Sequence, residues 1–102
     1  MLRQLLQPVR VDDGTPPTLF IVVDTEEEFD WSAPLSRDAT AVTAIAEVWR
    51  LQDLVRPYGL KPTYVIDYPV AATPASAQRL AEIARGGECE IGAHLHPWVS
   101  PP

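Results

Sequence analysis

The pattern of hydrophobic and polar positions predicts three strands that alternate with two helices. The run 19–23 is apolar without polar alternation, which is typical of a parallel strand buried on both faces. We expect strands at about 18–24, 62–66 and 88–93, each bounded by a glycine, a proline or a carboxylate. Because the connections are short and crossovers are right-handed, the three strands should be parallel.

The segment between the first two strands predicts an amphipathic helix. Its small and apolar side chains recur at helical spacing and should face the core. These residues are Ala41, Ala44, Ile45, Val48, Leu51 and Val55. Asp38 or Thr40 can cap the start of this helix, and Pro57 and Gly59 should end it. Trp49 falls within the helix and is expected to pack in the core.

A second helix is predicted between the second and third strands. Thr73 can cap it, and Pro74 suits its first position, where a missing N–H removes no hydrogen bond. The pair Gly86-Gly87 should stop it. Residues 1–17 contain several turn-forming residues and are expected to be a surface arm, so that residues 18–102 form a single α/β domain.

Composition excludes several classes of function. The chain has 102 residues, of which 46% are hydrophobic, enough for one small domain. Its net charge of −6 and the lack of a basic stripe argue against a nucleic-acid partner. No apolar run approaches the roughly 18 residues of a membrane span, and no signal peptide is visible, so a cytoplasmic location is expected. The single cysteine, Cys89, is expected to be buried and inert.

Polar residues follow each predicted strand at its carboxyl end, where chemistry collects in parallel sheets. Asp24 ends the first strand, and Asp67, interpreted as a turn residue, ends the second. His94 and His96, the only two histidines, follow the third and project to one side of an extended backbone. With a carboxylate from the first strand they form a two-histidine, one-carboxylate site for zinc, cobalt or iron, which can activate water. Alternatively, both histidines belong to a proline-rich surface turn.

The acidic run after the first strand mixes two kinds of residue. Asp24 directly ends an apolar strand, where an unpaired buried carboxylate is costly, so we expect it to have a partner. Beside a metal it could act as a general base, and Glu26 could reach the same metal. Glu27 and Glu28 are interpreted as solvated loop residues.

Two tryptophans flank these polar motifs. Trp31 follows the acidic run, and Trp98 follows the histidine pair. Aromatic rings beside an acidic cleft can stack on sugar rings, or they can simply cover the mouth of the cleft. The sequence leaves both interpretations open.

Three stretches carry a family resemblance. Residues 20–30 are similar to a first motif in which Asp24 and then Glu26 replace the usual adjacent aspartates. Residues 58–66 resemble the second strand and its preceding turn, and residues 87–94 resemble the approach to a histidine motif. Together they resemble the polysaccharide deacetylase family, the chitooligosaccharide deacetylase (NodB) homology domain, over about residues 18–98.

The resemblance implies the β-α-β-α-β portion of a (β/α) barrel that removes N-acetyl groups from a carbohydrate substrate. Asp24 would be the general base, and Glu26, His94 and His96 would hold a divalent metal, with zinc expected. The family usually spaces its motif histidines four apart, so His96 depends on strand geometry. Glu26 is preferred to Glu27 because some branches of the family place an acid two residues after the aspartate.

Two alternative functions stay open. Paired histidines at a strand end also occur in metal-dependent amidohydrolases that act on small amides or cyclic ureides. A non-catalytic carbohydrate-binding remnant is the other alternative. A full barrel needs roughly 200–250 residues, and the family's later motifs have no counterpart here. We therefore expect the N-terminal part of a barrel domain, with little or no activity by itself.

Overall fold

The computed structural model describes residues 7–102 of the chain. Three strands form one parallel sheet in the order β1-β2-β3. β1 spans Val22–Thr25, β2 spans Thr63–Ile66 and β3 spans Glu90–Ala93. The predicted mixed α/β class and the parallel order are confirmed, although β1 and β3 begin later than expected.

Helical segments connect the strands. α1 spans Trp49–Val55, between short 3-10 helices at Thr43–Glu47 and Arg56–Tyr58. The expected single long helix is therefore wrong, because its first turns have the tighter 3-10 geometry. α2 spans Tyr68–Ala72 and α3 spans Pro74–Arg85. None of the helices within residues 7–102 is both long and apolar enough to cross a bilayer.

The two faces of the sheet differ in what they contact. Val23 and Ile66 pack against the buried cluster, whose members come from strands and helical segments. The buried members are Val42, Ile45, Tyr64, Val70, Leu80 and Cys89. By alternation Val22 and Asp24 project to the opposite face, where both are exposed. We call this second side the open face of the sheet.

The expectation of a first strand buried on both faces is wrong. Leu19 and Phe20 precede β1 and are 67% and 81% exposed, and Val22 inside it is 61% exposed. The helices cover one side of the sheet, so only Val23 of the apolar run packs inward. Residues 7–17 of the expected arm are exposed, and residues 1–6 lie outside the described part of the chain.

The first helical segment begins differently from the prediction. Neither Asp38 nor Thr40 caps it. Instead, the Glu28 carboxylate accepts hydrogen bonds from the Thr43 hydroxyl at 2.6 Å and from the Ala44 N–H at 2.7 Å. A carboxylate from the acidic loop thus satisfies one backbone N–H of the first helical turn and one side-chain hydroxyl.

Some of the expected helix packing is also wrong. Ala41 and Ala44 are exposed, so the core-facing side of this helical segment consists of Ile45 and apolar residues that follow it. Trp49 is 46% exposed rather than in the core, with the Arg50 guanidinium 5.6 Å from its ring centroid. The segment does end at Gly59, which has a φ of 64° that glycine adopts freely.

The turn after β2 is helical, which the sequence analysis did not predict. Asp67 caps α2 by accepting the Val70 N–H at 3.1 Å. Pro74 begins α3 as predicted, but the Thr73 side chain makes no capping bond. The buried Ser76 hydroxyl instead lies 2.6 Å from the Val70 carbonyl and 2.9 Å from the Thr73 carbonyl, and so links α2 to α3.

Candidate metal centre

The carboxyl ends of β1 and β3 bring the predicted site residues together. Asp24 lies on the open face of β1, and Glu26 follows just beyond the strand. His94 comes directly after β3, where its N–H donates to the Ile66 carbonyl at 2.8 Å and extends the strand pairing. His96 follows two residues later. The two outer strands of the sheet therefore supply all the residues of the predicted site.

Three of these residues place one ligand atom each around a common point. Glu26 Oε2 lies 3.5 Å from His94 Nδ1 and 3.2 Å from His96 Nε2. All three atoms lie within 4.8 Å of one another. Tetrahedral ligands at about 2.0–2.2 Å from zinc are roughly 3.3–3.6 Å apart, so these spacings suit one metal ion.

One buried nitrogen of His94, Nδ1, has no hydrogen-bond partner among the described residues. The nearest carboxylate oxygens, on Glu26 and Asp24, are 3.5 and 3.8 Å away, longer than a normal hydrogen bond. Leaving such a group unpaired costs about 1–3 kcal/mol. The donor set therefore fits a divalent metal that would use this nitrogen.

Asp24 stands beside the cluster rather than inside it. Its Oδ1 is 3.8 Å from His94 Nδ1, and its side chain is 70% exposed. The expectation that this carboxylate is buried is wrong, because the side chain projects from the open face into solvent. Asp24 therefore lies next to the ligand atoms with most of its side chain in solvent.

His96 lies between two carboxylates. Its Nε2 faces Glu26, and its Nδ1 is 2.8 Å from Glu27 Oε2. The Trp98 ring stacks on the imidazole with centroids 4.4 Å apart, and Phe29 contacts it edge-on at 5.6 Å. With a side chain only 6% exposed, the imidazole is stacked on one face by Trp98, contacted at the side by Phe29 and faced by a carboxylate at each nitrogen.

Glu27 and Asp67 are site residues that the sequence analysis missed. The expectation of a solvated Glu27 is wrong, because it and Asp67 are each only 2% exposed. Glu27 donates its backbone N–H to Asp67 Oδ2 at 3.1 Å and accepts the Trp98 indole N–H at 3.0 Å. Two signals could have found them: Glu27 continues the inward alternation of Val23, and an aspartate shortly before a proline is a helix start.

The pKa values of the two buried carboxyl groups shift in opposite directions. Burial raises the pKa of Asp67, and the adjacent Glu27 carboxyl raises it further. Burial also opposes ionisation of Glu27, yet hydrogen bonds with Asp67 and then His96 outweigh it and lower the pKa of Glu27. The contact between the two groups therefore shifts their pKa values in opposite directions, towards ionisation at Glu27 and away from it at Asp67.

A second group of three potential ligands shares His96 with the first. Glu27, Asp67 and His96 also place their atoms within 4.8 Å of one another. Both carboxylates already accept hydrogen bonds from backbone or indole N–H groups, and their side chains are fully enclosed. The cluster of Glu26, His94 and His96 is only partly buried, so it is more accessible to a metal ion than this enclosed group.

The aromatic residues around the cluster have different surroundings. Trp98 is engaged with His96 and Glu27, as its stacking and its hydrogen bond show. Trp31 is 77% exposed, and its ring centroid is 4.5 Å from that of Phe29. Of the two tryptophans considered for sugar stacking, only Trp31 presents most of its surface to solvent.

Fold and site together define a mixed α/β protein with a two-histidine, one-carboxylate cluster at the carboxyl edge of a parallel sheet. No family model, curated protein or solved structure matches this chain. Its function is therefore inferred from the site and from the sequence motifs.

Proposed function

We propose that this chain carries the metal centre of a metal-dependent hydrolase, with Glu26, His94 and His96 as the ligands. The observation that carries this proposal is the unpartnered His94 Nδ1, 3.5 Å from a Glu26 oxygen that also faces His96 Nε2. Three ligands at this spacing suit catalytic zinc, which keeps a further position open. Cobalt and iron are alternatives for the same ligand set.

A divalent metal bound there would supply Lewis acidity and make water a better nucleophile at neutral pH. The role of Asp24 follows from its position beside the ligands and its exposure on the open face. Its carboxylate can take a proton from an attacking water as general base. Glu27 holds the far side of His96, and Trp31, which packs on Phe29, presents an exposed ring.

For the substrate, we propose an N-acetylated carbohydrate, deacetylated at a C–N bond. The order of the three motifs resembling the polysaccharide deacetylase family supports this choice. The parallel β-α-β-α-β arrangement suits part of a (β/α) barrel, whose chemistry lies at the carboxyl ends of its strands. An exposed aromatic ring at Trp31 suits stacking on a sugar ring.

Zinc titration by calorimetry tests the metal centre. We expect the native chain to bind one zinc ion, His94→Ala/His96→Ala to bind none, and Asp24→Asn to retain the affinity, because Asp24 lies outside the ligand set. Circular dichroism of each variant confirms that it is folded. Equal zinc affinity in the native chain and the folded double variant would rule out this centre.

Cobalt(II) substitution tests the substrate class without requiring turnover. We expect an N-acetylated glucosamine oligomer to shift the visible spectrum of the cobalt-loaded chain, and the fully deacetylated oligomer of equal length to have a smaller effect. Equal responses to both oligomers would contradict recognition of the acetyl group. Sugar binding that persists unchanged in His94→Ala/His96→Ala would favour a carbohydrate-binding role without catalysis.

A further inference from the structure

Glu27 is a buried carboxylate that lies next to the proposed centre without belonging to its ligand set. Its Oε2 is 2.8 Å and its Oε1 is 3.1 Å from His96 Nδ1. We propose that Glu27 is a positioning residue, which holds the proton of His96 on Nδ1 and turns the Nε2 lone pair towards Glu26. This inference deepens the proposed function, on which its metal-binding part rests.

The two nitrogens of His96 compete for one proton when the imidazole is neutral. The nitrogen that keeps the proton is set by its hydrogen-bond partner, and the other becomes the metal ligand. Nδ1 faces the enclosed Glu27 carboxylate at 2.8 Å, whereas Nε2 faces the partly exposed Glu26 at 3.2 Å. The shorter contact, to a carboxylate shielded from water, places the proton on Nδ1.

Glu27 is itself held in place from two directions. Its Oε1 accepts the Trp98 indole N–H at 3.0 Å, and its backbone N–H donates to Asp67 Oδ2 at 3.1 Å. The Trp98 ring also stacks on the His96 imidazole with an interplanar angle of 21°. The backbone bond fixes the position of the residue, and the carboxylate cannot turn away from His96 without losing the Trp98 hydrogen bond.

A histidine ligand oriented by a carboxylate is a stronger and better directed ligand than one without such a partner. Loss of this kind of partner typically costs about 10–100-fold in metal affinity. The conservative change is Glu27→Gln, which keeps the shape of the side chain but replaces one acceptor oxygen with an NH₂ donor. We expect zinc affinity to fall by about 10–100-fold in this variant.

Glu28→Gln is the matched control, because it removes the neighbouring carboxylate from the same loop. Glu28 contacts Thr43 and Ala44, and its amide replacement can still accept their hydrogen bonds. We expect its zinc affinity to equal that of the native chain. A fall of equal size in both variants would overturn the inference, because the effect would then report general loop charge.

The nitrogen-15 spectrum of His96 provides a readout that does not depend on zinc. It is recorded on the metal-free native chain at a pH where the spectrum itself shows a neutral imidazole. We expect the proton on Nδ1, and a mixture of the two tautomers in Glu27→Gln. A proton on Nε2 in the native chain would overturn the inference, whatever the zinc titration shows.

The remaining outcomes separate this inference from the proposed function. A native chain that binds no zinc but keeps the proton on Nδ1 supports the positioning role and rejects the metal centre. Zinc binding that is abolished in Glu27→Gln but retained in His94→Ala would overturn the inference, because Glu27 would then be a ligand in the enclosed group with Asp67. Unchanged affinity in folded Glu27→Gln would overturn it as well.

Discussion

At the scale of single residues, three consecutive glutamates have three different partners. Glu26 faces the two histidines of the proposed centre, and Glu27 accepts hydrogen bonds inside the fold. Glu28 reaches the first helical segment through Thr43. A run that looks uniform in the sequence thus contains a proposed metal ligand, an internal hydrogen-bond acceptor and a helix cap, because successive side chains of the loop leave it in different directions.

The capping role of Glu28 predicts that part of the folding stability is lost at acid pH. The hydrogen bond from the Thr43 hydroxyl, and then that from the Ala44 N–H, lowers the pKa of Glu28 from its usual 4.5. A lowered pKa means that this stabilisation is present above the unfolded pKa and is lost as the pH falls through the folded one. Urea unfolding between about pH 6 and pH 3 should show a smaller loss of stability in Glu28→Gln than in the native chain.

Comparison of the two pH profiles decides this prediction. The curves should converge towards acid pH, where the native carboxyl is also uncharged. Parallel curves for the native chain and Glu28→Gln would show that the Glu28 charge does not contribute to folding stability.

At the scale of elements, the close approach of β2 and β3 constrains one residue. Gly92 pairs with Val65 in the parallel register, and a Cβ at Gly92 would lie 2.9 Å from Val65 Cγ1. That separation is below van der Waals contact, and the methyl group belongs to a stiff β-branched side chain. β3 leads directly to His94, so a shift of this strand would also move the proposed ligands.

We predict that Gly92→Ala lowers the free energy of unfolding by about 1–3 kcal/mol, as expected for overpacking. Urea denaturation measures the change, and Val65→Ala in the same chain should restore part of it by removing the clashing methyl group. Gly14→Ala is the control, because a Cβ at Gly14 meets nothing within 4 Å. Equal stability of Gly92→Ala and Gly14→Ala would contradict the close approach.

Sequence patterns predicted the elements where the signal is local. β2 was placed correctly because its apolar run is bounded by Pro62 and Asp67, and α3 was placed by Pro74 and the two glycines after it. α2 was missed because its five residues are too few for a periodic pattern. The burial of β1 was overestimated, since an apolar run cannot show that only one face of the sheet is covered.

The sequence allowed part of the candidate site to be predicted, but not its buried carboxylate. His94 and Glu26 could be proposed because each follows a strand and parallel strands end at one edge. The bond between Glu27 and His96 joins residues 69 apart, and within the acidic run only the alternation from Val23 distinguishes Glu27 from Glu28. That choice depends on how the loop turns after β1, which is determined by tertiary contacts with Trp98 and Asp67.

At the scale of the whole molecule, the chain is more extended than a closed domain of its length. Its radius of gyration is 17.1 Å, whereas a compact domain of this size has about 13 Å. Residues 7–17 are exposed throughout, and the helices pack on one face of the sheet only. The proposed centre lies on the open face, and its ligands follow β1 and β3, the two outer strands of the sheet.

We predict that zinc stabilises the entire fold. Glu26 follows β1, whereas His94 and His96 follow β3, so the ligands meet only when both outer strands pair with β2. Free zinc at about 100 times its dissociation constant should raise the free energy of unfolding by about 2.7 kcal/mol. Urea denaturation with and without zinc measures this, and His94→Ala/His96→Ala should show no increase. An equal increase in that variant would place the zinc elsewhere.

The Trp98 stack gives the molecule a built-in optical probe. The indole lies 4.4 Å from the His96 imidazole and donates its N–H to Glu27, 71 residues earlier in the chain. These contacts form only after distant segments meet, and such non-local pairing is the slow step of sheet folding. When refolding is monitored by tryptophan fluorescence, we therefore expect a late kinetic phase from Trp98 that reports the final docking of β3. This phase should be absent in Trp98→Phe.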